Sequence, residues 1–258
     1  MKECVGKIIS NSAVAEGIFE LVIFCEALKD QQIQPGMFAQ LEIPDSKDLI
    51  LRRPISINSF SKEKLLLTFV YQIKGEGTLR LSRQKDGDIR LTTPLGKGFN
   101  LPEKSSKIML IGAGIGLAPL RFIPEFAPQN RYYTLAGFRT KELAYQLDVF
   151  GSLSEKLLMT SDDGTLGIKG YIGQCAGQFM EDVKPDLILT CGPEIVLRQV
   201  KELARNAGIP CQLSMEARMG CGTGACMVCN VRIGTEDNWH YKRCCADGPV
   251  FDAQEVLF

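Results

Sequence analysis

The spacing of apolar and polar positions changes character near Pro102. Before it, apolar residues come in runs of strand length, at 18–25, 38–43, 51–57 and 65–73, rich in Ile, Val, Leu and Phe. Turn pairs such as Pro35-Gly36 and Asp86-Gly87 punctuate them. Short, evenly spaced strands of this kind predict a small antiparallel β-barrel over residues 1–101, with one helix-like piece at 78–84. After Pro102 strands and helices alternate. Strands are predicted at 107–111, 131–137, 156–160 and 186–191, and helices at 117–126, 141–150, 173–182 and 194–206. The last of these helices lies between Pro193 and Gly208, the usual start and stop signals. Such alternation implies an α/β domain over 102–215 whose parallel sheet is covered on both faces. Residues 216–258 are glycine-rich with little apolar periodicity, so something other than packing is expected to hold them.

A chain of 258 residues is long enough for two domains with separate cores. Its 30 basic and 30 acidic residues cancel, which leaves no electrostatic footprint for nucleic acid or an anionic membrane. Phosphate ligands must therefore be gripped locally, by loops and single basic residues. The most apolar run, 108–120, contains three glycines and a proline, far from the ~18 uninterrupted apolar residues of a membrane span. Lys2, Glu3 and Lys7 stand where a secretion signal needs an apolar core. The expectation is a cytoplasmic protein.

Ten cysteines and a single histidine change the picture more than the charge does. In a reducing compartment structural disulfides are rare. Cys4, Cys25, Cys175, Cys191 and Cys211 are dispersed and read as buried thiols acting as small hydrophobes. His240 reads as an exposed residue of a loop or hairpin, and no catalytic acid or base is assigned. The remaining cysteines crowd together as Cys221-Gly222-Thr223-Gly224-Ala225-Cys226-Met227-Val228-Cys229, followed by Cys244-Cys245. C-x4-C-x2-C with a distant fourth cysteine is the spacing of plant-type 2Fe-2S sites. The small residues between Cys221 and Cys226 let the backbone wrap a compact inorganic core with its amides toward sulfur. A zinc ribbon is the alternative, but it pairs two C-x2-C knuckles, and adjacent cysteines on a strand point to opposite faces. Spacing alone leaves Cys244 and Cys245 both open as the fourth ligand.

Three further motifs suit phosphates and cofactors. Arg53-Pro54-Ile55-Ser56 puts a guanidinium and a hydroxyl on one barrel strand, suited to a pyrophosphate and a flavin edge. Gly75-Glu76-Gly77-Thr78 opens a helix, whose N-terminus attracts anions. Gly112-Ala113-Gly114-Ile115-Gly116 follows a strand and precedes a helix, the context of a dinucleotide turn. It departs from G-x-G-x-x-G, since position 117 is Leu, and Arg139 stands near where an acidic residue would close the second strand.

In this order the motifs resemble the ferredoxin-reductase family of flavoproteins. With the cysteine segment at the C-terminus, the chain is similar to the electron-transfer subunits of class 1B dihydroorotate dehydrogenases. Asp247-Gly248-Pro249-Val250-Phe251 adds to that likeness. The resemblance implies FAD held by Arg53, Pro54, Ile55, Ser56, Val70, Tyr71, Gln72, Gly77 and Thr78. It implies NAD on Gly112, Gly114 and Gly116, with Cys191 bordering the nicotinamide and flavin. It implies a 2Fe-2S cluster on Cys221, Cys226, Cys229 and Cys245, the last chosen because it stands two residues before the Asp-Gly-Pro-Val-Phe run. Ile55 replaces the tyrosine of the wider Arg-x-Tyr-Ser pattern. Arg139 suits a 2′-phosphate, whereas the resemblance implies NADH. The implied partner is an FMN-containing catalytic subunit in a heterotetramer of two of each chain. Other readings are a diaphorase subunit of a sulfide dehydrogenase, hydrogenase or ferredoxin-dependent reductase, and, in another class, a zinc-stabilised binding module.

Overall fold

A computed structural model describes residues 2–44, 46 and 48–258. The first part of the chain forms β1 (Glu3–Ala15), β2 (Ile18–Phe24), β3 (Phe38–Leu41), β4 (Arg53–Ser61), β5 (Leu66–Gln72), helix α1 (Glu76–Arg83) and β6 (Asp88–Thr92). These strands close into a barrel in the order β1-β2-β5-β4-β3-β6. Alternation builds its core: Leu21 and Ile23, Ala39 and Leu41, Ile55 and Ile57, Leu67 and Phe69 point inward. Closure leaves no unpaired strand edge. β1 escaped the sequence pattern because Val5 and Ile9 are exposed on its outer face, which blurs the alternation with buried Cys4 and Ile8.

The second part supplies β7 (Lys107–Ala113), α2 (Phe122–Phe126), β8 (Arg131–Phe138), α3 (Leu147–Leu153), β9 (Lys156–Ser161), β10 (Ile168–Lys169), α4 (Ile172–Val183), β11 (Leu187–Cys191), α5 (Glu194–Ala207) and β12 (Cys211–Ser214). The cysteine segment adds β13 (Asn230–Thr235), β14 (Asn238–Arg243), β15 (Val250–Asp252) and β16 (Val256–Leu257). One sheet has the order β10-β9-β8-β7-β11-β12-β15, and a small one the order β14-β13-β16. The larger sheet is parallel except at its edge, where β15 runs antiparallel to β12.

Three expectations are corrected. The helix expected at 117–126 is a 3-10 turn, Gly114–Leu120, followed by the five-residue α2. Pro119 lacks the amide that an α-helix would use there. The helix expected at 141–150 breaks into a 3-10 turn, Lys141–Leu143, and α3, because Gln146 adopts a left-handed φ of 52°. Tertiary contacts fix that break: Gln146 Nε2 donates to Glu20 Oε2 at 2.8 Å, and the Tyr145 hydroxyl donates to the Gly114 and Ile115 carbonyls at 3.2 Å. Finally, packing does hold the cysteine segment. Val231, Ile233, Phe251 and Val256 share one apolar cluster with Leu197, Val200 and Ala204 of α5.

Asn58 of β4, fully buried, joins the two halves. Its Nδ2 donates to the Ala118 carbonyl at 2.8 Å, and its Oδ1 accepts from Arg121 at 3.0 Å. The turn after β7 is thereby fixed against the barrel wall. Among the described residues no helix is long and apolar enough to cross a membrane.

Candidate functional site

A cleft of about 240 Å³ opens where barrel meets sheet. Arg53, Pro54, Ile55 and Ser56 of β4, Val70, Tyr71 and Gln72 of β5, and Thr78 of α1 form its barrel side. Ile115, Ala118, Pro119 and Cys191 face them, and Met215 to Ala217, Met219 and Pro249 close one end. Ile55 and Tyr71 belong to the barrel core, so their side chains are turned inward. The Tyr71 hydroxyl donates to Asn11 at 3.0 Å, and burial pushes its pKa up to about 12. Pro54 and Ser56, with Val70 and Gln72, alternate to the opposite side.

Gly77 lies beneath Arg53: a Cβ at position 77 would sit 2.5 Å from the guanidinium carbon. The loop is closed by Thr78, whose hydroxyl accepts from the Lys74 amide at 2.9 Å and donates to the Gly75 carbonyl at 3.0 Å. A guanidinium laid over the amide-rich first turn of a helix is suited to a pyrophosphate. This cradle, which any side chain at 77 would fill, fits the pyrophosphate of a dinucleotide flavin.

A second cleft, of about 490 Å³, shares Gln72, Lys74, Ile115 and Glu216 with the first. It runs along Gly114, Gly116, Phe138, Arg139, Gly192 and Pro193, outside the carboxyl ends of β7, β8 and β11. Ligands of open α/β sheets bind in such a crevice. The three glycines differ in role. Gly112 lies behind the turn, where a Cβ would meet Leu117 at 2.6 Å. Gly114 needs its positive φ of 55°. Gly116 permits close approach to Gly192, whose Cα would be 2.6 Å from a Cβ at 116. Since the last two glycines lie within the 3-10 turn Gly114–Leu120, the turn does not open a long helix as the standard fingerprint does. Cys191, at the end of β11, is buried, and burial pushes its thiol up to about 12. It meets the first cleft as a neutral thiol.

The cysteines come together as two pairs, and among the described residues no group of three or more His, Cys, Asp or Glu side chains is gathered around a single metal position. In the loop, the Thr223 and Cys226 amides donate to Cys221 Sγ, and the Cys221 amide to Cys226 Sγ, each at 3.4 Å. The Thr223 hydroxyl and these amides lower the Cys221 thiol to about 5. In the second pair, the Cys245 amide donates to Cys229 Sγ at 3.4 Å. Positive φ angles at Gly222, Gly224 and Met227 wind the loop. Cys244 points elsewhere: its thiol, fully buried, donates to the Met215 carbonyl at 3.2 Å. The two adjacent cysteines lie in the turn after β14 rather than on a strand, which corrects the expected geometry while separating their side chains. Sulfur donors already collecting amide hydrogen bonds suit an iron–sulfur centre. His240 is exposed on β14. Four of the dispersed cysteines are buried, and Cys175 is half-buried.

Sequence reasoning missed Arg243. Its guanidinium grips both oxygens of Asp247 at 2.8 and 3.1 Å and donates to the Gly224 carbonyl at 3.2 Å. It thus ties the Cys221–Cys226 loop to the turn that carries Cys245. The one available signal was Asp247 at the head of the Asp-Gly-Pro-Val-Phe run. Glu216 was also missed, since nothing in its sequence neighbourhood marks it as bordering both clefts.

A flavin-type barrel joined by a cleft to an α/β sheet, with a cysteine-ligand segment behind it, defines a ferredoxin-reductase-like redox protein. An NADH-dependent reduced ferredoxin-NADP oxidoreductase, studied for flavin-based electron bifurcation, superposes with a TM-score of 0.84 at 28% identity, covering 98% of this chain and 89% of that one. A ferredoxin NADP+ reductase from Neisseria gonorrhoeae shares the fold at 16% identity and a TM-score of 0.68, over 81% of this chain and 92% of its own. Residues 216–257 match the model for the iron-sulfur cluster binding domain of dihydroorotate dehydrogenase B. The dihydroorotate dehydrogenase B (NAD(+)) electron transfer subunit of Caldanaerobacter subterraneus subsp. tengcongensis is 34% identical over 98% of this chain and 97% of its own. That of Clostridium acetobutylicum is 34% identical over 99% and 98%. The chain belongs to the family of dihydroorotate dehydrogenase B (NAD(+)) electron transfer subunits.

Proposed function

We propose that this chain carries electrons between NADH and an FMN-containing dihydroorotate dehydrogenase catalytic subunit, through FAD in the interdomain cleft and a 2Fe-2S cluster on Cys221, Cys226, Cys229 and Cys245. The observation that carries the reading is the placement of Met215 to Met219: this stretch lines the flavin cleft and runs directly into the cysteine loop. When bound, the flavin exchanges a hydride for single electrons and the cluster carries electrons singly. The protein's part is positional. Arg53 and the first turn of α1 hold the pyrophosphate of FAD, while Pro54, Ser56, Val70 and Gln72 bound its ring system. Gly114 and Gly116 admit the dinucleotide alongside Cys191 and Gly192. Amides of the 221–226 loop and the Arg243–Asp247 brace hold the sulfur ligands. Residues 1–101, 102–215 and 216–258 serve as flavin, nucleotide and cluster units of a cytoplasmic heterotetramer with two of each chain. Exposed Met227 and Val228 beside Cys226 offer the partner an apolar contact.

The test is reconstitution with the catalytic chain. Dihydroorotate-dependent reduction of NAD+ is expected only with both chains present. In Cys226→Ser it should be lost while NADH still bleaches the flavin; undiminished transfer in that variant would remove the cluster from the route. The likeness to the ferredoxin-NADP oxidoreductase, at a TM-score of 0.84 over 98% of this chain, favours a second reading with a different catalytic partner. Co-purification from the native host decides between them.

A further inference from the structure

The outer face of β3 points at the cysteine segment. Ala39 and Leu41 fill the barrel core, whereas Phe38 joins the apolar cluster that contains Cys229, Cys244 and Cys245. Gln40 shares that outer face, two residues from Phe38. It is 2% exposed, and its backbone amide is bound to Thr92 Oγ1 at 3.0 Å. The carboxamide lies flat against Gly222, the residue after Cys221: a Cβ at 222 would be 2.5 Å from Gln40 Cδ and Nε2. Gly222 has a φ of 70°, so both its conformation and the space above it exclude a side chain. Yet Gln40 Nε2, fully buried, has no hydrogen-bond partner among the described residues. A buried donor left unpaired is costly, and native structures almost always provide an acceptor.

We propose that Gln40 Nε2 donates a hydrogen bond to a sulfur of the 2Fe-2S centre beside Gly222 and thereby raises its reduction potential. The inference rests on the reading that Cys221, Cys226, Cys229 and Cys245 hold such a cluster. Loop amides can serve sulfur only from the loop's own side. Gln40 brings a donor from the barrel, on the strand whose Phe38 lines the flavin cleft. Donors to cluster sulfur stabilise the negative charge added on reduction, so they move the potential upward. Gln40 is thus a tuning residue shared between the flavin-side barrel and the metal site.

The test compares the cofactor-loaded full chain with Gln40→Leu and Gln40→Glu by EPR-monitored redox titration, after iron and acid-labile sulfide have been measured in each. Gln40→Leu should keep its iron and sulfide, with the reduced-to-oxidised ratio at fixed poise falling about tenfold, which is 59 mV for a one-electron centre. Gln40→Glu should fall further, because it sets a carboxylate against the cluster. An unchanged potential in fully loaded Gln40→Leu overturns the proposal. If the variants lose the cluster, wild-type protein carrying side-chain 15N-glutamine decides the matter. A 15N coupling in the pulsed EPR spectrum of the reduced centre is expected, and its absence overturns the proposal. Wild-type protein without iron and sulfide would instead overturn the cluster reading itself, and this inference with it.

Discussion

The Arg53 guanidinium occupies the space that a side chain at Gly77 would take: a Cβ there would be 2.5 Å from Arg53 Cζ. Two segments separated by a whole hairpin, β4 and the start of α1, are in this way matched to a single anion. Gly77→Ala must push the guanidinium off the first turn of the helix. FAD affinity should fall about tenfold or more, roughly 1.4 kcal/mol. Flavin-to-protein absorbance ratios after dialysis, and flavin rebinding curves, check this. Cluster content should be unaltered, because the group nearest Gly77 is the Arg53 guanidinium.

The two adjacent cysteines should behave oppositely. Cys245 stands against Cys229, so Cys245→Ser should lose most of the bound iron. Cys244 is fully buried and bonded to the Met215 carbonyl, so Cys244→Ala should keep the iron. Its cost is loss of packing, about 1 kcal/mol in unfolding free energy. Iron analysis together with denaturant unfolding separates the two. Iron retained in Cys245→Ser and lost in Cys244→Ala would reverse the ligand assignment.

Asp247 gives the brace a pH dependence. Hydrogen bonds from Arg243 lower its carboxyl from the ordinary 3.8 to about 2. The folded value lies below the unfolded one, so the stabilisation is complete above the unfolded value and is lost as pH falls through the folded one. The difference in thermal midpoint between wild type and Asp247→Asn should therefore be constant near neutral pH, begin to shrink about one unit above 3.8, and be lost as pH falls through about 2. Metal-free chain is the sample of choice, so that acid loss of a cluster does not enter. A difference that grows in acid would contradict the assigned pair.

The barrel and the parallel sheet were legible because their strands are buried on one face or both, and burial imposes apolar spacing. Phe69 and Leu67 alternate with partly buried residues in β5, while β11 is buried throughout. The breaks at 114–126 and 141–153 were not legible. They depend on Asn58 and Gln146 bridging barrel and sheet and on Tyr145 reaching back to the turn after β7, contacts separated by 30 to 126 positions in the chain. The small sheet was equally hidden: β13 contributes only Val231 and Ile233 to the core, too short a run to read. At the site, the cysteines and Arg53 were legible because their chemistry is rare or their spacing specific. Arg243, Glu216 and Gln40 are ordinary polar residues, and only folding gives them neighbours.

Electron passage from NADH through flavin to cluster is tested most directly by an anaerobic NADH titration of the purified chain, followed by visible absorption and EPR. Flavin and ferric iron–sulfur bands should bleach together, with the signal of a reduced 2Fe-2S centre rising as NADH is added. Zinc in place of iron, or a flavin that bleaches while a loaded cluster stays oxidised, would contradict it.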